Sequence, residues 1–287
     1  MTLNDYLTRA TKEEWAIGHF NFSTLDQLAA IVETAQVLKA PVMVGTSEGE
    51  RDFIGLKNAV ALIGGYQKQG IAVFLNADHT KSIEKAKEAV DTGYESVHID
   101  LSEKPFEENI EGTRMIVEYA RKAGGEISVE GELGVIRGSS QVRDEIINVS
   151  VDDYTSPEEA KKFIEETGVS RLAIMVGNVH GIFKGEPELD IELIAAIRAA
   201  LPQEVVLVLH AGSGIEPGVI QKAVAAGIAN VHVSTELRRL WREELESALE
   251  DKPDEYAPYK LLAPAKKALN NLIQEKIQLF GSSRKAD

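Results

Sequence analysis

Short runs of apolar, mostly β-branched residues alternate with longer stretches whose apolar positions recur every three or four residues. The short runs fall at Ile17–Phe22, Val42–Thr46, Ala72–Asn76, Ser96–Asp100, Ile127–Gly131, Leu172–Val176, Val205–His210 and Asn230–Val233. Most are apolar almost throughout, which is the pattern of parallel strands buried on both faces. Helices are predicted between them at Leu25–Leu38, Ile83–Thr92, Phe106–Ala123, Pro157–Glu166, Asp190–Ala200 and Pro217–Ala226. Ser82 and Asp190 are suited to N-caps, and Gly93, Gly168 and Gly227 follow helix ends. Eight such units without a linker predict one α/β domain over residues 1–287, a single (β/α)8 TIM barrel rather than two doubly wound halves. An additional C-terminal helix, Leu261–Leu279, is expected outside the barrel or against a neighbouring subunit. The longest irregular stretch is Gly134–Asp153, small and charged, and reads as an active-site lid or a plain surface excursion.

The net charge of −15 argues against nucleic acid and anionic membrane surfaces as partners. An anionic substrate would need a local positive site. The chain has no cysteine, so disulfides and thiolate chemistry are excluded, and a zinc ion would have to take His, Asp or Glu ligands. The N-terminal MTLNDYLTRATKEEW lacks a charged-then-apolar leader pattern, and no apolar run approaches spanning length; a cytoplasmic location is expected.

In a barrel of this kind the chemistry gathers at the C-terminal ends of the strands. Strand by strand, that rule selects Asn21, then Ser47, then Asp78 with His79, then Asp100, then Glu130 and Glu132. The sixth strand is followed by His180, the seventh ends at His210, and Ser234 and Thr235 follow the eighth. Three imidazoles with an open fourth position are the usual plan of a catalytic zinc site. HAGSGIEP reads as strand, Gly-Ser-Gly turn and helix start, and VSTE precedes the last barrel helix. Amide groups at helix N-termini favour phosphate, and a barrel's habitual phosphate site lies after its seventh and eighth strands.

The stretches NADH, SVHIDLSEKPFEENI, ISVEGELG, GNVHGIFKGEPELD, LVLHAGSGI and NVHVSTELR resemble the class II, metal-dependent fructose-bisphosphate aldolases and their tagatose-bisphosphate relatives. The resemblance runs from about Asn21 to the C-terminal helix. It implies a Zn2+ ion held by His79, His180 and His210, with Glu132 as an additional ligand and Asp100 serving a second, mobile metal position. It implies Asp78 as the catalytic acid–base group. It places Gly181, Lys184, Gly212, Ser213, Ser234 and Thr235 at the ketose phosphate, and Asn21 and Ser47 along the substrate pocket. In some members a monovalent cation, Na+ or K+, is held by carbonyls around Val179, Gly181 and Ala211. The implied reaction splits a phosphorylated ketose, by default fructose 1,6-bisphosphate, into dihydroxyacetone phosphate and glyceraldehyde 3-phosphate, in a homodimer or homotetramer. Tagatose bisphosphate or another phosphorylated ketose is the alternative substrate, and a non-catalytic sugar-phosphate-binding relative is the alternative role.

The chain departs from the family pattern at four places. His232 stands where an Asn usually meets substrate; it keeps a substrate contact or faces the barrel wall. His98 replaces an apolar residue and reads as a core histidine or an added ligand. Ala211 stands where Gly is common. In the loop Arg137–Glu145, Asp144 or Glu145 is a candidate for proton transfer at the carbanion. For a second, distal phosphate the candidates are Arg51, Tyr259 and Lys260.

Overall fold

The computed structural model describes residues 1–142, 149–182 and 188–287. The eight predicted runs close into a parallel barrel of β1 (Ile17–Asn21), β2 (Val42–Thr46), β3 (Val73–Thr80), β4 (Ser96–Ile99) and β5 (Ser128–Leu133), which continues outside the barrel into β6 (Gly138–Val142). The barrel resumes at β7 (Arg171–Ile174), is left again at β8 (His180–Ile182), and closes through β9 (Val206–Leu209) and β10 (Ile228–Val233), which pairs with β1. Most barrel strands are buried along their whole length, as continuous apolar runs require.

The helices are α1 (Leu3–Glu13), α2 (Leu25–Leu38), α3 (Glu48–Ile54), α4 (Leu56–Gln67), α5 (Ile83–Thr92), α6 (Phe106–Ala123), α7 (Pro157–Thr167), α8 (Ile191–Ala200), α9 (Pro217–Ala225), α10 (Thr235–Asp251) and α11 (Pro258–Leu279). Ser82 and Asp190 cap α5 and α8 as expected, each side chain accepting from the amide three residues on. The fold adds α1, which no strand-and-helix alternation announced. Its Leu3, Tyr6, Leu7 and Ala10 pack with Ile17, Met43, Phe74 and Val206 from the strand starts, so it plugs the N-terminal end of the barrel. Substrate access is thereby left to the opposite end.

One expectation changes. Part of the stretch expected to be irregular, Gly138–Val142, is a strand that pairs in parallel with β8 outside the barrel. For the C-terminal helix the first of the two expected places is seen: Ala265, Leu269, Ile273 and Ile277 of α11 are fully buried, and the helix packs outside the barrel on α2 and α10 of its own chain. Among the described residues no helix is long and apolar enough to cross a membrane.

One irregularity places the chemistry. Ala77 pairs with Val97 but Thr80 pairs with Ile99, so β3 carries one residue more than β4 across this interval. His79 takes φ 42°, in the left-handed region. Successive residues of a regular strand face opposite sides; this bulge lets the neighbours Asp78 and His79 both line the barrel mouth. Lower in the barrel, a Cβ on residue 45 would collide with the His19 ring, so Gly45 makes the room that ring occupies.

Candidate active site

All six histidines of the chain belong to one connected set of rings at the barrel mouth. His19 stacks on His232 with centroids 3.6 Å apart, and His232 lies 3.9 Å from His210. His79 is 4.7 Å from both His98 and His210 and 5.0 Å from His180; His180 and His210 are 6.1 Å apart. Among these rings His79 and His98 have raised pKa values, which neighbouring carboxylates support against burial. Those carboxylates, Asp78, Asp100, Glu130 and Glu132, come from three strands.

The carboxylates also orient the rings. His79 Nδ1 lies 2.9 Å from Asp100 Oδ2, and His210 Nε2 lies 2.6 Å from Glu130 Oε1. Each such contact is best made by an N–H donating to the carboxylate, which turns His79 Nε2 and His210 Nδ1 toward each other. Those two nitrogens are 3.2 Å apart. Two ligands of one tetrahedral zinc, each about 2.0–2.1 Å from the ion, stand about 3.3 Å apart. The spacing and the outer carboxylates are thus those of a metal edge with its supporting hydrogen bonds. Burial, then repulsion by His79, depresses the His180 pKa to about 3, so its lone pair is available at neutral pH. Burial, then His79 and His98, holds His210 well below its ordinary value in the same way.

The predicted trio is brought together, but not as the tightest cluster. Asp78, His79, His98 and His210 form one close donor group, and His79, His98, Asp100 and Glu132 a second. His180 stands one step outside both. His98, fully buried, has Nδ1 3.8 Å from Asp78 and from Glu130, and Nε2 3.3 Å from Glu132. Burial opposes its charge, yet Glu130, Asp78 and Glu132 hold His98 well above the usual imidazole range. It is a core histidine and a member of the donor clusters at once.

Two cavities of about 200 and 160 Å³ meet at His79 and His180. The first is lined by Asp100, Ser102 and Glu132, the second by Asn21, Ser47, Asp78, His210, Ser213, His232, Ser234, Thr235 and Arg238. A larger cavity of about 1140 Å³ lies on the flank between α2, α4 and α11, so size alone does not locate the chemistry. Burial disfavours a charge on Asp78, but His79 and hydrogen bonds from His232 and His98 outweigh it and keep the carboxyl well below the usual range. Asn21 Nδ2 donates to Asp78 Oδ2 at 3.0 Å, and His232 Nδ1 lies 3.4 Å from Oδ1. His232 therefore both lines the cavity and braces Asp78.

After β10, Ser234 Oγ is buried with no hydrogen-bond partner among the described residues. Ser234 precedes α10 and Thr235 opens it, so the N-terminus of the helix faces the same place; the Glu236 amide there already donates to Ser213 Oγ at 3.3 Å. The Gly212 N–H donates to the His232 carbonyl at 2.9 Å. A Cβ there would meet Val231 at 2.7 Å, so the glycine serves close approach of two strands. Ala211 holds φ 58°, a conformation glycine adopts without cost, and alanine only with strain. Gly181, at φ 111°, follows His180 on β8. Lys184, Asp144 and Glu145 lie outside the described residues.

None of the distal-phosphate candidates faces the cavity. Arg51 is 3% exposed, and its guanidinium donates to the Thr46 and Asp78 carbonyls and to Thr80 Oγ1 at 2.6, 3.2 and 3.0 Å. Lys260 pairs with Glu255, and Tyr259 lines the flank cavity. Arg51→Met is expected to lower stability by about 3 kcal/mol in urea unfolding, since buried carbonyls lose their donor. Full stability with a loss confined to bisphosphate KM would restore Arg51 as a ligand.

Sequence reasoning missed three contributors. Arg171, 0% exposed, sits below the site with Nη1 2.9 Å from Glu130 Oε2 and 3.1 Å from Asn230, and with Nη2 on Ser96. A charged residue opening a buried strand was its available signal. Glu50 is buried among polar groups; the Ser-x-x-Glu spacing from Ser47 was the signal. Arg238 lines the cavity one turn into α10. Because Glu130 connects Arg171 to His210, Glu130→Gln is expected to weaken metal binding about 10–100-fold in chelator competition. Unchanged affinity would remove Glu130 as the brace of His210.

Comparison with known proteins gives one family. A family model described as class-II fructose-bisphosphate aldolase matches residues 1–285. A fructose-bisphosphate aldolase of Staphylococcus epidermidis is 38% identical over 292 aligned positions, covering 100% of this chain and 99% of the relative. One from Geobacillus stearothermophilus is 35% identical, covering 100% and 98%. Among solved structures, the YdjI aldolase from Escherichia coli K12 superposes with a TM-score of 0.85 at 31% identity, covering 99% of this chain and 98% of that one. A fructose-bisphosphate aldolase from Campylobacter jejuni shares the fold, with a TM-score of 0.79 at 22% identity and coverage of 99% and 95%.

Proposed function

Because this chain belongs to the class-II fructose-bisphosphate aldolase family, we propose that its barrel mouth is a zinc-dependent aldol-cleavage site that releases dihydroxyacetone phosphate from a phosphorylated ketose. The observation that carries this reading is the pair of carboxylate-braced imidazoles, His79 and His210, with facing nitrogens 3.2 Å apart beside Asp78 in one cavity. Neutral imidazole donors suit zinc. His79, His210 and His180 would hold the ion, with Glu132, Asp100 and His98 as a neighbouring donor set. When bound, a divalent ion supplies Lewis acidity for the charge that develops on the substrate's carbonyl oxygen.

The chain's own groups do the rest. Ser213, Ser234, Thr235 and the amides opening α10 bind the phosphate next to the ketose carbonyl, with Gly181 and Lys184 as further contacts of that end. Asp78, held as a carboxylate and aimed by Asn21 and His232, accepts the proton of the hydroxyl across the scissile bond. The carbon–carbon bond then breaks and leaves an enediolate and an aldehyde. Anchoring the phosphate fixes the reacting carbons against these groups, which is the proximity contribution. Carbonyls around Val179, Gly181 and Ala211 are the proposed cradle of a monovalent cation. A homodimer or homotetramer remains the expected assembly. Relatives carrying the name fructose-bisphosphate aldolase support fructose 1,6-bisphosphate as the reference substrate.

The test is cleavage of a ketose-phosphate panel with and without EDTA, and with borohydride. EDTA is expected to abolish cleavage, and borohydride with dihydroxyacetone phosphate to trap nothing. A stoichiometric lysine adduct would replace the metal reading with a Schiff-base enzyme.

A further inference from the structure

The second cavity ends, beyond Asp78, on a ring of hydrogen-bond donors that already surround an anion. The anion is the carboxylate of Glu50. Its Oε2 accepts from Asn21 Nδ2 at 3.0 Å, from the Ser47 amide at 2.7 Å and from Ser47 Oγ at 2.9 Å. Its Oε1 accepts from Ser23 Oγ at 3.3 Å and from Arg238 Nη2 at 2.6 Å. Glu50 is 7% exposed. Asn21, Ser47 and Arg238 line the same cavity as Asp78 and His210, and among the described residues of that lining Arg238 is the one arginine or lysine.

Five donors converging on one carboxylate make an anion cradle filled by the chain itself. A phosphate arriving here would meet a fixed negative charge and donors whose protons are already taken. Arg238, the cation it needs, is matched by Glu50. Glu50 cannot leave at little cost, because its carboxylate also closes the capping box that starts α3 with Ser47. A hydroxyl fares differently. It can donate to a Glu50 oxygen, or exchange one bond with Ser47 or Asn21, without burying a second charge.

The geometry points to Glu50 as the residue that sets the far end of the substrate: the ketose taken here carries one phosphate, next to the carbonyl, and hydroxyls without charge at the opposite end. This rests on the aldolase reading and narrows its substrate class. It also reverses the part expected of this loop, in which Arg51 was to meet a second phosphate; Arg51 turns into the barrel wall, and its neighbour Glu50 sits behind the cavity lining and holds the donors of Asn21, Ser47 and Arg238.

The experiment has two parts on the metal-loaded protein. Exchange of the dihydroxyacetone phosphate C3 proton in D₂O tests the aldolase reading without any aldehyde; no exchange overturns that reading and this inference with it. Cleavage of fructose 1-phosphate and fructose 1,6-bisphosphate then tests the far end. The expected result is a kcat/KM for the monophosphate at least about tenfold higher. E50Q, which keeps an acceptor for Ser47 but removes the charge, is expected to move this ratio at least about tenfold toward the bisphosphate. Proton exchange together with a wild-type preference for the bisphosphate would leave the aldolase and overturn the Glu50 assignment. A folded E50Q with an unmoved ratio would do the same. Should E50Q not fold, inhibition of the wild type by glucitol 1-phosphate and glucitol 1,6-bisphosphate gives the same comparison; tighter binding of the bisphosphate overturns the inference.

Discussion

Asp78→Ala is expected to lower kcat by about 10²–10⁴ while the metal stays bound, which is the usual cost of losing a positioned acid–base group. The size follows from how completely the site is built around this carboxylate. It is 4% exposed, receives Asn21 on one oxygen, and faces His232 and His98 with the other. No other acid of the cavity that contains His210 and the phosphate-end serines is in the same position, since Asp78 is the one Asp or Glu among its described lining residues. Steady-state kinetics with metal analysis makes the check, and Asp78→Asn serves as a variant of the same size. Turnover within a few-fold of wild type in both would remove the proton-transfer role. A fall in KM affinity with kcat intact would make Asp78 a binding group instead.

The second large effect is on the metal. The purified protein is expected to hold about one divalent ion per chain, as a three-imidazole site does, and His180→Ala to lose most of it. Among the described residues no side-chain hydrogen bond of His180 is seen, and its ring is only partly buried. Truncation therefore leaves no buried donor stranded and the barrel should keep its melting temperature. That separates His180 from His210, whose loss would leave Glu130 Oε1 without its hydrogen-bond partner in the core. Elemental analysis after dialysis decides the matter. Undiminished metal in His180→Ala would hand the third position to His98, which stands closer to His79 and His210 in the donor cluster.

How much of this was legible beforehand differs between fold and site. The barrel was, because strand period and helix period are properties of neighbouring residues and the alternation repeated eight times. α1 was not, since its apolar residues have meaning only against the strand starts it covers. Nor was the pairing of β6 with β8, which joins segments 42 residues apart in sequence (Gly138 with His180) through backbone bonds that leave no periodic mark. At the site, Asp78, His79, His180, His210, Asn21, Ser47, Ser213, Ser234 and Thr235 were found from the strand ends and do line the mouth. The partner of the Gly212 amide was not legible: a glycine in a turn signals an open backbone, but not that its amide meets the His232 carbonyl of the next strand.

What the sequence by itself determined is a set of chemical groups at the barrel's C-terminal end: His79, His180 and His210, the carboxylates Asp78, Asp100, Glu130 and Glu132, and the hydroxyls of the last turns, each placed by its distance from a strand. What only the tertiary structure decided is the direction in which those groups act. Asp78 and His79 should face opposite sides of a regular strand; the extra residue against β4 turns both inward, and that register is a long-range fact. His79 and His210 present particular nitrogens because Asp100 and Glu130, from other strands, hold the others. Glu50 and Arg51 are neighbours on one helical turn, so they project in directions about 100° apart. The seating of α3 against β2 and β3 sends the carboxylate to the donors that line the cavity and the guanidinium to the wall. Composition names the groups; the orientation of a strand or helix, set by packing against distant parts of the chain, decides which of two adjacent side chains meets the substrate.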